Sequence, residues 1–247
     1  LIFNSSLSSG VFPSAWKYAV VVPIYKNKGS RHDPGNYRPI SLLNTCSKIL
    51  ERIVYDRLYH HLAPLLHDMQ SGFRHGDSTS LHLTNLVQRL CTLQDRRHYL
   101  GLCFFDLAKA FDSVWHRGLL AKLHAYGVTG CLQSWLTSYL NNRTQSVKLG
   151  PVHSDSIPIC SGVPQGSTLG PLLFLAFVND LPVLNPGVSL FADDTCMLRS
   201  SPSVSRLLSD LQAGITDITS WMALWKLKPN VGKTKVMIIP PLSTTLY

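Results

Sequence analysis

Apolar residues along this chain recur at strand-like spacing in some segments and at helix-like spacing in others, which predicts a mixed α and β fold. The expected elements of the first hundred residues are a strand at 16–26, a loop at 27–36, and helices at 41–62 and 79–97. Ser78 or Thr79 is the expected N-cap of the second of these helices, because a hydroxyl side chain can accept from the free N–H groups of a first helical turn.

The second part of the chain opens on the apolar run 99–106, which ends in a carboxylate and predicts a buried strand. Asp112 or Ser113 is the expected N-cap of a helix that continues through Leu123. The remaining expected elements are a helix at 130–141, a strand at 144–150, a glycine-rich turn at 161–168, a helix at 169–181, two strands within 187–199, a helix at 203–225 and a strand at 235–239. We therefore expect one continuous α+β unit with two subdomains divided near residue 100.

Composition narrows the class of protein. Of 247 residues 45% are hydrophobic, which is ordinary for a globular protein, and the net charge of +9 suggests a polyanionic partner, either nucleic acid or an anionic membrane surface. The six cysteines form no CxxC pair, which favours reduced thiols over a zinc site or a disulfide framework. The most apolar stretch, 169–178, is too short to cross a bilayer, and the N-terminus does not resemble a signal peptide. The chain begins without Met, which fits either a fragment of a longer protein or a trimmed chain.

Three acidic residues form the first candidate site. Asp106 ends an apolar strand, and Asp193 and Asp194 lie at the turn of an apolar hairpin. A carboxylate at the end of a buried strand is costly to desolvate, and a divalent cation offsets that cost. Two adjacent aspartates that meet a third would supply the hard oxygen ligands of two-metal phosphoryl transfer. An Asp-Asp pair alone would equally fit an ordinary turn.

Two further segments have the chemistry of a nucleotide site. The turn at 161–168 contains glycines that allow close approach of a ligand, and Gln165 offers both a donor and an acceptor. A basic cluster flanks the loop at 27–36 and could clamp a triphosphate or a template backbone; its members are Lys26, Lys28, Arg31 and Arg38. Taken alone, the first segment also fits an ordinary glycine-rich turn, and the second fits a solvated loop.

Six motifs in a fixed order resemble those of reverse transcriptases, and most closely those of non-LTR (LINE-type) retrotransposons. They are NYRPISLLN (36–44), QSGFR (70–74), FFDLAKAFD (104–112), GVPQGSTLGPLLF (162–174), FADD (191–194) and N-x-x-KTK (230–235). The resemblance implies a right-hand polymerase with an antiparallel palm sheet packed on helices and a thumb that is largely absent. It places the fingers, with part of the N-terminal palm support, at 1–100 and the palm at 101–247.

The resemblance also implies a role for each matching residue. Asp106, Asp193 and Asp194 match the catalytic aspartates that bind two Mg²⁺ ions, for which Mn²⁺ can substitute. The implied nucleotide-binding residues are Lys26, Arg38, Phe111 as the gate against a ribose 2′-hydroxyl, Gln165, and Lys233 or Lys235. The implied primer or template contacts are Phe191, Ala192 and Gly166. Pro229 departs from the leucine that is more usual in the family, close to the lysine said to assist the departing pyrophosphate.

The activity implied by the resemblance is RNA-directed DNA synthesis, with transfer of dNMP from a dNTP to a primer 3′-hydroxyl for target-primed reverse transcription. The implied partners are an RNA template, a DNA primer and dNTP, with no membrane, in the nucleus or the cytoplasm. Two alternatives remain open. One is an RNA-dependent RNA polymerase, in which Asp112 would be a second acidic residue, and the other is a catalytically inactive RNA-binding remnant. The oligomeric state is not specified by the sequence.

Overall fold

The computed structural model describes residues 1–242 and shows a mixed α/β fold. The eight α-helices of this part are α1 (Ile2–Ser9), α2 (Thr45–Leu62), α3 (Thr79–Asp95), α4 (His116–Ala125), α5 (Gly130–Leu140), α6 (Gly170–Val178), α7 (Leu181–Leu184) and α8 (Val204–Leu224). Its ten strands are β1 (Tyr18–Tyr25), β2 (Tyr37–Leu42), β3 (Gln70–Ser71), β4 (Tyr99–Phe105), β5 (Arg143–Leu149), β6 (Val152–His153), β7 (Ile157–Ile159), β8 (Val188–Phe191), β9 (Asp194–Ser201) and β10 (Lys235–Ile239). Within residues 1–242, no helix is both long enough and apolar enough to cross a membrane.

The chain forms two compact units, each built from two segments. Unit one comprises residues 1–65 and 111–177, and unit two comprises residues 66–110 and 178–247. Neither unit is bounded at residue 100: unit one has one segment on either side of that position, and the first segment of unit two runs across it. The division into fingers at 1–100 and palm at 101–247 stays a prediction.

Unit one is organised around a five-stranded sheet. Its strands run in the order β2-β1-β5-β6, and β7 pairs with β5. β1 and β2 form an antiparallel hairpin in which Val20 pairs with Leu42, whereas β1 and β5 run parallel. The buried Phe12 ring contacts Trp135 and Tyr139 of α5 edge-on, at centroid distances of 5.3 and 5.1 Å. Aromatic packing of this kind joins the N-terminal segment to the second segment of the unit.

Unit two contains the sheet that carries the acidic motifs. Its strand order is β10-β4-β9-β8-β3; all pairs are antiparallel except β3 with β8. Leucines of α3 pack against Leu100, Leu102 and Leu198 on one face of the sheet. On the other face, a Cβ added at Gly101 would lie 2.5 Å from Leu211 of α8, so glycine permits the close approach of that helix. The expected antiparallel sheet packed on helices is present apart from the parallel β3–β8 pair, and its assignment as a polymerase palm stays a prediction.

Two predictions about helix starts in the first hundred residues have different outcomes. The predicted start of a helix at residue 41 is wrong, because residues 37–42 pair with β1 as strand β2 and α2 begins only at Thr45. Asn44 caps α2, its Oδ1 accepting from the backbone N–H of Cys46 at 2.9 Å. The predicted cap of α3 is confirmed, because Ser78 Oγ accepts from Leu81 N at 3.1 Å.

The prediction that Asp112 or Ser113 caps the following helix is wrong. Residues 111–113 form a turn of 3₁₀ helix, and α4 begins later, at His116, with Trp115 at the cap position. The Asp112 carboxylate accepts instead from Gln165 Nε2 at 3.0 Å. A tertiary contact has therefore taken the place of the local cap that the sequence suggested.

Candidate active site

The two adjacent aspartates lie at the tight end of the β8–β9 hairpin. Phe191 pairs with Asp194, so that Ala192 and Asp193 alone connect the strands. Ala192 adopts the left-handed conformation with φ of 54°, which is uncommon outside glycine. Its backbone N–H donates to Ser71 O at 2.9 Å. The sharp turn is therefore held in place by a second segment, and Asp193 projects from an exposed tip.

The second segment belongs to the QSGFR motif. Strand β3 pairs in parallel with β8, aligning Ser71 with Phe191. The next residue, Gly72, has φ of +80°, and a Cβ there would lie 2.9 Å from the backbone nitrogen of Ala192. Only glycine permits this approach without strain. The motif therefore supports the turn that carries Asp193. The sequence alone did not reveal this structural role.

Strand pairing brings Asp106 beside Asp194. β4 and β9 are antiparallel, and their last pair at this end is Phe105 with Thr195. The next residue along each strand is an aspartate, and directly opposed residues of a pleated sheet share a face. Asp106 and Asp194 therefore meet at one end of these two paired strands, although they are 194 − 106 = 88 positions apart in the sequence.

The three charges interact. Partial burial raises the pKa of Asp194 above its ordinary value, and the negative charges of Asp193 and Asp106 raise it further. A raised pKa means that the ionised form of this carboxyl is disfavoured by its surroundings. The site therefore favours an added positive charge, either a proton or a cation.

Asp106 is held by two residues of the N-x-x-KTK motif. Asn230 Nδ2 donates to Asp106 Oδ2 at 2.8 Å, and the backbone N–H of Asn230 donates to Asp106 O at 2.7 Å. Lys233 Nζ lies 3.2 Å from the same Oδ2 and forms an ion pair with it. Pro229 forms an isolated bridge with Leu107, so its presence is compatible with this pairing. Asn230 was not singled out from the sequence, although its place at the start of the motif was a usable signal.

The donor chemistry of the aspartates suits a hard divalent cation. Carboxylate oxygens are the ligands that Mg²⁺ prefers, and the pKa of Asp194 is raised first by burial and then by the charges of Asp193 and Asp106. Within residues 1–242, no three His, Cys, Asp or Glu side chains are gathered closely enough to form a metal cluster. Asp106 instead points one oxygen at Lys233 and Asn230. The residues that would hold a cation are therefore Asp106, Asp193 and Asp194, after Asp106 exchanges its lysine partner.

Removing the charge of Asp194 is expected to stabilise the metal-free protein. Because its pKa is raised on folding, its contribution to stability is complete below the ordinary carboxyl pKa and is lost as the pH rises through the folded-state pKa. Asp194→Asn avoids this loss, and we expect a Tm roughly 1–3 °C above that of the unsubstituted chain at pH 7 in EDTA. Thermal unfolding should show a smaller difference at pH 4. A lower Tm for the variant at pH 7 would show that repulsion among the three aspartate charges does not destabilise the fold.

The predicted triphosphate contacts lie on the β1–β2 hairpin of unit one. Arg38 pairs with Ile24, and Lys26 N donates to Asn36 O at 2.8 Å, which continues the register by one pair. Lys26 and Arg38 therefore share a face of the hairpin, and both side chains are exposed. Lys26 Nζ donates to Gly35 O at 2.8 Å, so a ligand would compete with the loop carbonyl.

Phe111 and Gln165 are linked through neighbouring residues of unit one. The Phe111 ring stacks on Phe174 at a centroid distance of 4.6 Å and an interplanar angle of 19°. Its carbonyl accepts from Val163 N at 2.8 Å, and Gln165 Nε2 donates to Asp112 as described above. The proposed gate and the glycine-rich turn are therefore one connected piece.

The glycine-rich turn also packs on strand β2. Gln165 O accepts from Ser41 N at 2.7 Å, and a Cβ at Gly166 would lie 2.7 Å from Ser41 O. Gly166 has φ of +118°, so a side chain would be both strained and obstructed. The glycine is explained by this packing, and its contact with primer or template stays a prediction.

The structure thus brings the predicted residues together in two groups. Unit two joins the three aspartates, Lys233, Phe191 and Ala192, and unit one joins Lys26 with Arg38 and Phe111 with Gln165 and Gly166. Lys235 is exposed at the start of β10 and pairs with Phe104 rather than with an aspartate. Of the two lysines considered, Lys233 is therefore the one at the acidic site.

Comparison with known proteins gives one family and one fold. The model of the family described as reverse transcriptase (RNA-dependent DNA polymerase) matches residues 24–244. The chain is 37% identical to a probable RNA-directed DNA polymerase from transposon BS of Drosophila melanogaster over 95% of this chain and 27% of that protein. It is 35% identical to the RNA-directed DNA polymerase from mobile element jockey of the same species, over 94% of this chain and 26% of that protein.

The chain spans about a quarter of the length of these curated relatives. Among solved structures, apo telomerase from Candida tropicalis truncated from its C-terminal domain is similar with a TM-score of 0.65, at 14% identity, over 98% of this chain and 56% of that one. At such low identity the likeness concerns the fold alone. It agrees with the mixed α/β architecture described above.

Proposed function

The chain belongs to the reverse transcriptase (RNA-dependent DNA polymerase) family, and from that premise we propose that it extends a DNA primer along an RNA template with dNTP substrates. The observation that carries the proposal is the meeting of Asp106 and Asp194 at the end of two paired strands, with Asp193 at the adjoining turn. Three carboxylates so arranged supply what phosphoryl transfer needs, which is neutralisation of the reacting oxygens and their alignment.

In this proposal Asp106, Asp193 and Asp194 would hold two Mg²⁺ ions, which when bound would supply activation of the primer 3′-hydroxyl and neutralisation of the triphosphate. Asp106, Asp193 and Asp194 orient their oxygens for this purpose, and Asn230 fixes the rotamer of Asp106. Lys233 exchanges its ion pair with Asp106 for a contact with the departing pyrophosphate. The support for this role is that its ammonium already lies at the acidic site.

Residues of unit one are proposed to bind the nucleotide. Lys26 and Arg38 present cationic groups on one face of a hairpin, which suits a triphosphate. Gln165 packs near the base and the template, and Gly166 lets nucleic acid approach the backbone. Phe191 and Ala192, at the aspartate turn of unit two, contact the primer end. The antiparallel sheet of unit two corresponds to the palm of a right-hand polymerase.

The biological setting follows from the relatives. The proteins that match are named as RNA-directed DNA polymerases of a transposon and of a mobile element. Others are named as Pol polyproteins from type-1 retrotransposable elements R1 and R2. We therefore place this chain in a non-LTR retrotransposon, where target-primed synthesis would join the copied DNA to its new site. That setting requires access to nuclear DNA.

The test is extension of a DNA primer on an RNA template, with deoxynucleotides and ribonucleotides supplied separately. We expect incorporation of deoxynucleotides in the presence of Mg²⁺ and little incorporation of ribonucleotides. Preference for ribonucleotides would indicate an RNA-dependent RNA polymerase. Binding of RNA without extension, even with Mn²⁺, would indicate an inactive RNA-binding remnant.

Shortening Phe111 is expected to relax the choice of sugar. In the proposed role, the aromatic ring occupies the space that a ribose 2′-hydroxyl would need, and stacking on Phe174 keeps the ring in place. Phe111→Ala should raise the relative kcat/KM for ribonucleotides by about 10- to 100-fold. Phe104→Ala, which shortens an exposed phenylalanine of β4, is the matched control. Unchanged sugar discrimination in Phe111→Ala would remove the gate from the proposal.

A further inference from the structure

Glu51 is a charged side chain in the interior of unit one. It lies on α2 and has an exposed fraction of 0%. Glutamate is almost never fully buried unless its charge is paired or hydrogen-bonded, because desolvation of a carboxylate costs several kcal/mol. The family motifs quoted above do not include this residue, and the proposed reaction has not used it.

The Glu51 carboxylate binds donors from two segments of the chain. Oε1 accepts from Ser47 Oγ, one helical turn earlier, at 2.8 Å. Oε2 accepts from the backbone N–H of Thr168 at 2.8 Å and of Leu169 at 3.3 Å. The second pair of bonds spans more than a hundred residues of sequence and connects α2 to the glycine-rich turn.

The backbone N–H groups of Thr168 and Leu169 have no acceptor within the turn itself. Helix α6 begins at Gly170, whose N–H donates to Ser167 Oγ at 2.9 Å. The N–H groups of Thr168 and Leu169 precede the helix and have no helical carbonyl to bind. A carboxylate near the start of a helix also interacts favourably with the helix dipole. Glu51 therefore completes the start of α6 from outside.

The same turn is fixed at its other end by the residues just before α2. Ser41 of β2 donates to Gln165 O, and Asp112 accepts from the Gln165 side chain. Ser41 and Glu51 lie ten residues apart on the consecutive elements β2 and α2. The β2–α2 segment therefore forms hydrogen bonds with the turn on both sides of Gly166. The first attachment is at Gln165 itself and the second follows Gly166 by two residues, so together they hold the two residues proposed to meet nucleotide and template.

We propose that Glu51 is a positioning residue that fixes the Gln165–Gly166 turn for nucleotide binding, acting through the N–H groups of Thr168 and Leu169. The inference rests on the proposed function, because that function gives the turn its task. Glu51 does not touch the nucleotide. Its effect on the reaction passes through Gln165, and this separates it from a residue that serves only the stability of the core.

The kinetic test is a double-mutant cycle between Glu51→Ala and Gln165→Ala, measured as primer extension per folded molecule. Glu51→Ala should raise the KM for dNTP about tenfold, because the turn loses its attachment. In the Gln165→Ala background, the same substitution should change KM by less than about twofold. Ser47→Ala, which removes the bond to the other carboxylate oxygen, should leave KM within about twofold of the original value.

The conservative variant provides the rescue. In Glu51→Gln, the amide oxygen can accept from Thr168 and Leu169 while the amide nitrogen donates to Ser47. We expect a KM within about threefold of that of the unsubstituted chain. An equal rise in KM in both Gln165 backgrounds would overturn the proposal. So would a fall in kcat per folded molecule with no change in KM.

Amide hydrogen exchange tests the attachment without any enzyme activity. Glu51→Ala should speed exchange at Thr168 and Leu169 about tenfold or more, while Leu173, which donates to Leu169 O within α6, keeps its protection. If Glu51→Ala does not fold, Glu51→Asp shortens the side chain and should give the same local pattern. Unchanged exchange at both amides would refute the attachment. Failure of the unsubstituted chain to extend primers would instead refute the proposed function, and the exchange result would still decide the role of Glu51.

Discussion

Asp193→Asn is expected to abolish primer extension, lowering the rate by about 10³-fold or more. Asp193 lies at an exposed turn between β8 and β9, where its carboxylate faces solvent and does not support the core. The amide keeps the size of the side chain and removes its charge. The loss should therefore concern the chemical step and the binding of cations, while folding is retained.

Circular dichroism and thermal unfolding should show that the Asp193→Asn protein is folded, and a filter-binding assay should show that it still binds the RNA–DNA duplex. Asp155→Asn is the matched control, because it makes the same chemical change at another exposed residue. Extension by the control should equal that of the unsubstituted chain. Equal extension by the Asp193 variant would defeat the catalytic assignment.

Asn230→Ala is expected to lower primer extension by about 10- to 100-fold at limiting Mg²⁺. The side chain donates to Asp106 Oδ2 at 2.8 Å and so orients a proposed metal ligand. Without that bond, Asp106 has more rotamers available, and the cation must fix the carboxylate itself. The deficit should therefore shrink as the Mg²⁺ concentration rises.

A titration of the extension rate against Mg²⁺ measures this effect. Thr234→Val is the control in the same turn, since Thr234 Oγ1 donates to Asn230 O and makes no contact with Asp106. Asn230→Asp should be more damaging than Asn230→Ala, because it adds a fourth negative charge beside the three aspartates. An Asn230→Ala protein with an unchanged Mg²⁺ requirement would show that Asp106 needs no such support.

The acidic site was largely predictable because its positions follow from local patterns. An apolar run that ends in Asp106 and a hairpin with Asp193 and Asp194 at its turn both have the periodicity of strands, and the structure confirms both. What the local pattern lacks is the pairing partner. The register between β4 and β9, which puts Asp106 beside Asp194, is a long-range property that packing of the whole sheet determines.

The two wrong predictions, a helix start at residue 41 and a helix cap at Asp112 or Ser113, also arise from long-range contacts. Leu42 fits a helical pattern in sequence, but pairing with Val20 draws it into a strand. Asp112 has the chemistry of a cap, but Gln165, 53 residues later, binds it first. Local propensity is a weak preference that tertiary contacts override. The sequence did not indicate the roles of Asn230 and Glu51, because their hydrogen-bond partners lie more than a hundred residues away.

The roles of the aspartates and of the nucleotide contacts are both predictions, and they differ in the geometry that supports them. Lys26, Arg38, Phe111, Gln165 and Gly166 are assigned through family resemblance, and their roles stay predictions. The structure adds to this that Lys26 and Arg38 share a face and that Phe111 and Gln165 are connected through the 3₁₀ turn at 111–113. Substitutions in each pair should therefore affect nucleotide binding together rather than independently.

Templated incorporation of single nucleotides tests the central claim most directly. Four RNA templates that differ only in the first base to be copied would each be primed with DNA and offered one labelled dNTP at a time with Mg²⁺. We predict that each template base directs addition of its complementary dNTP and of no other at a comparable rate. Addition that ignores the template base, or no addition with either Mg²⁺ or Mn²⁺, would contradict it.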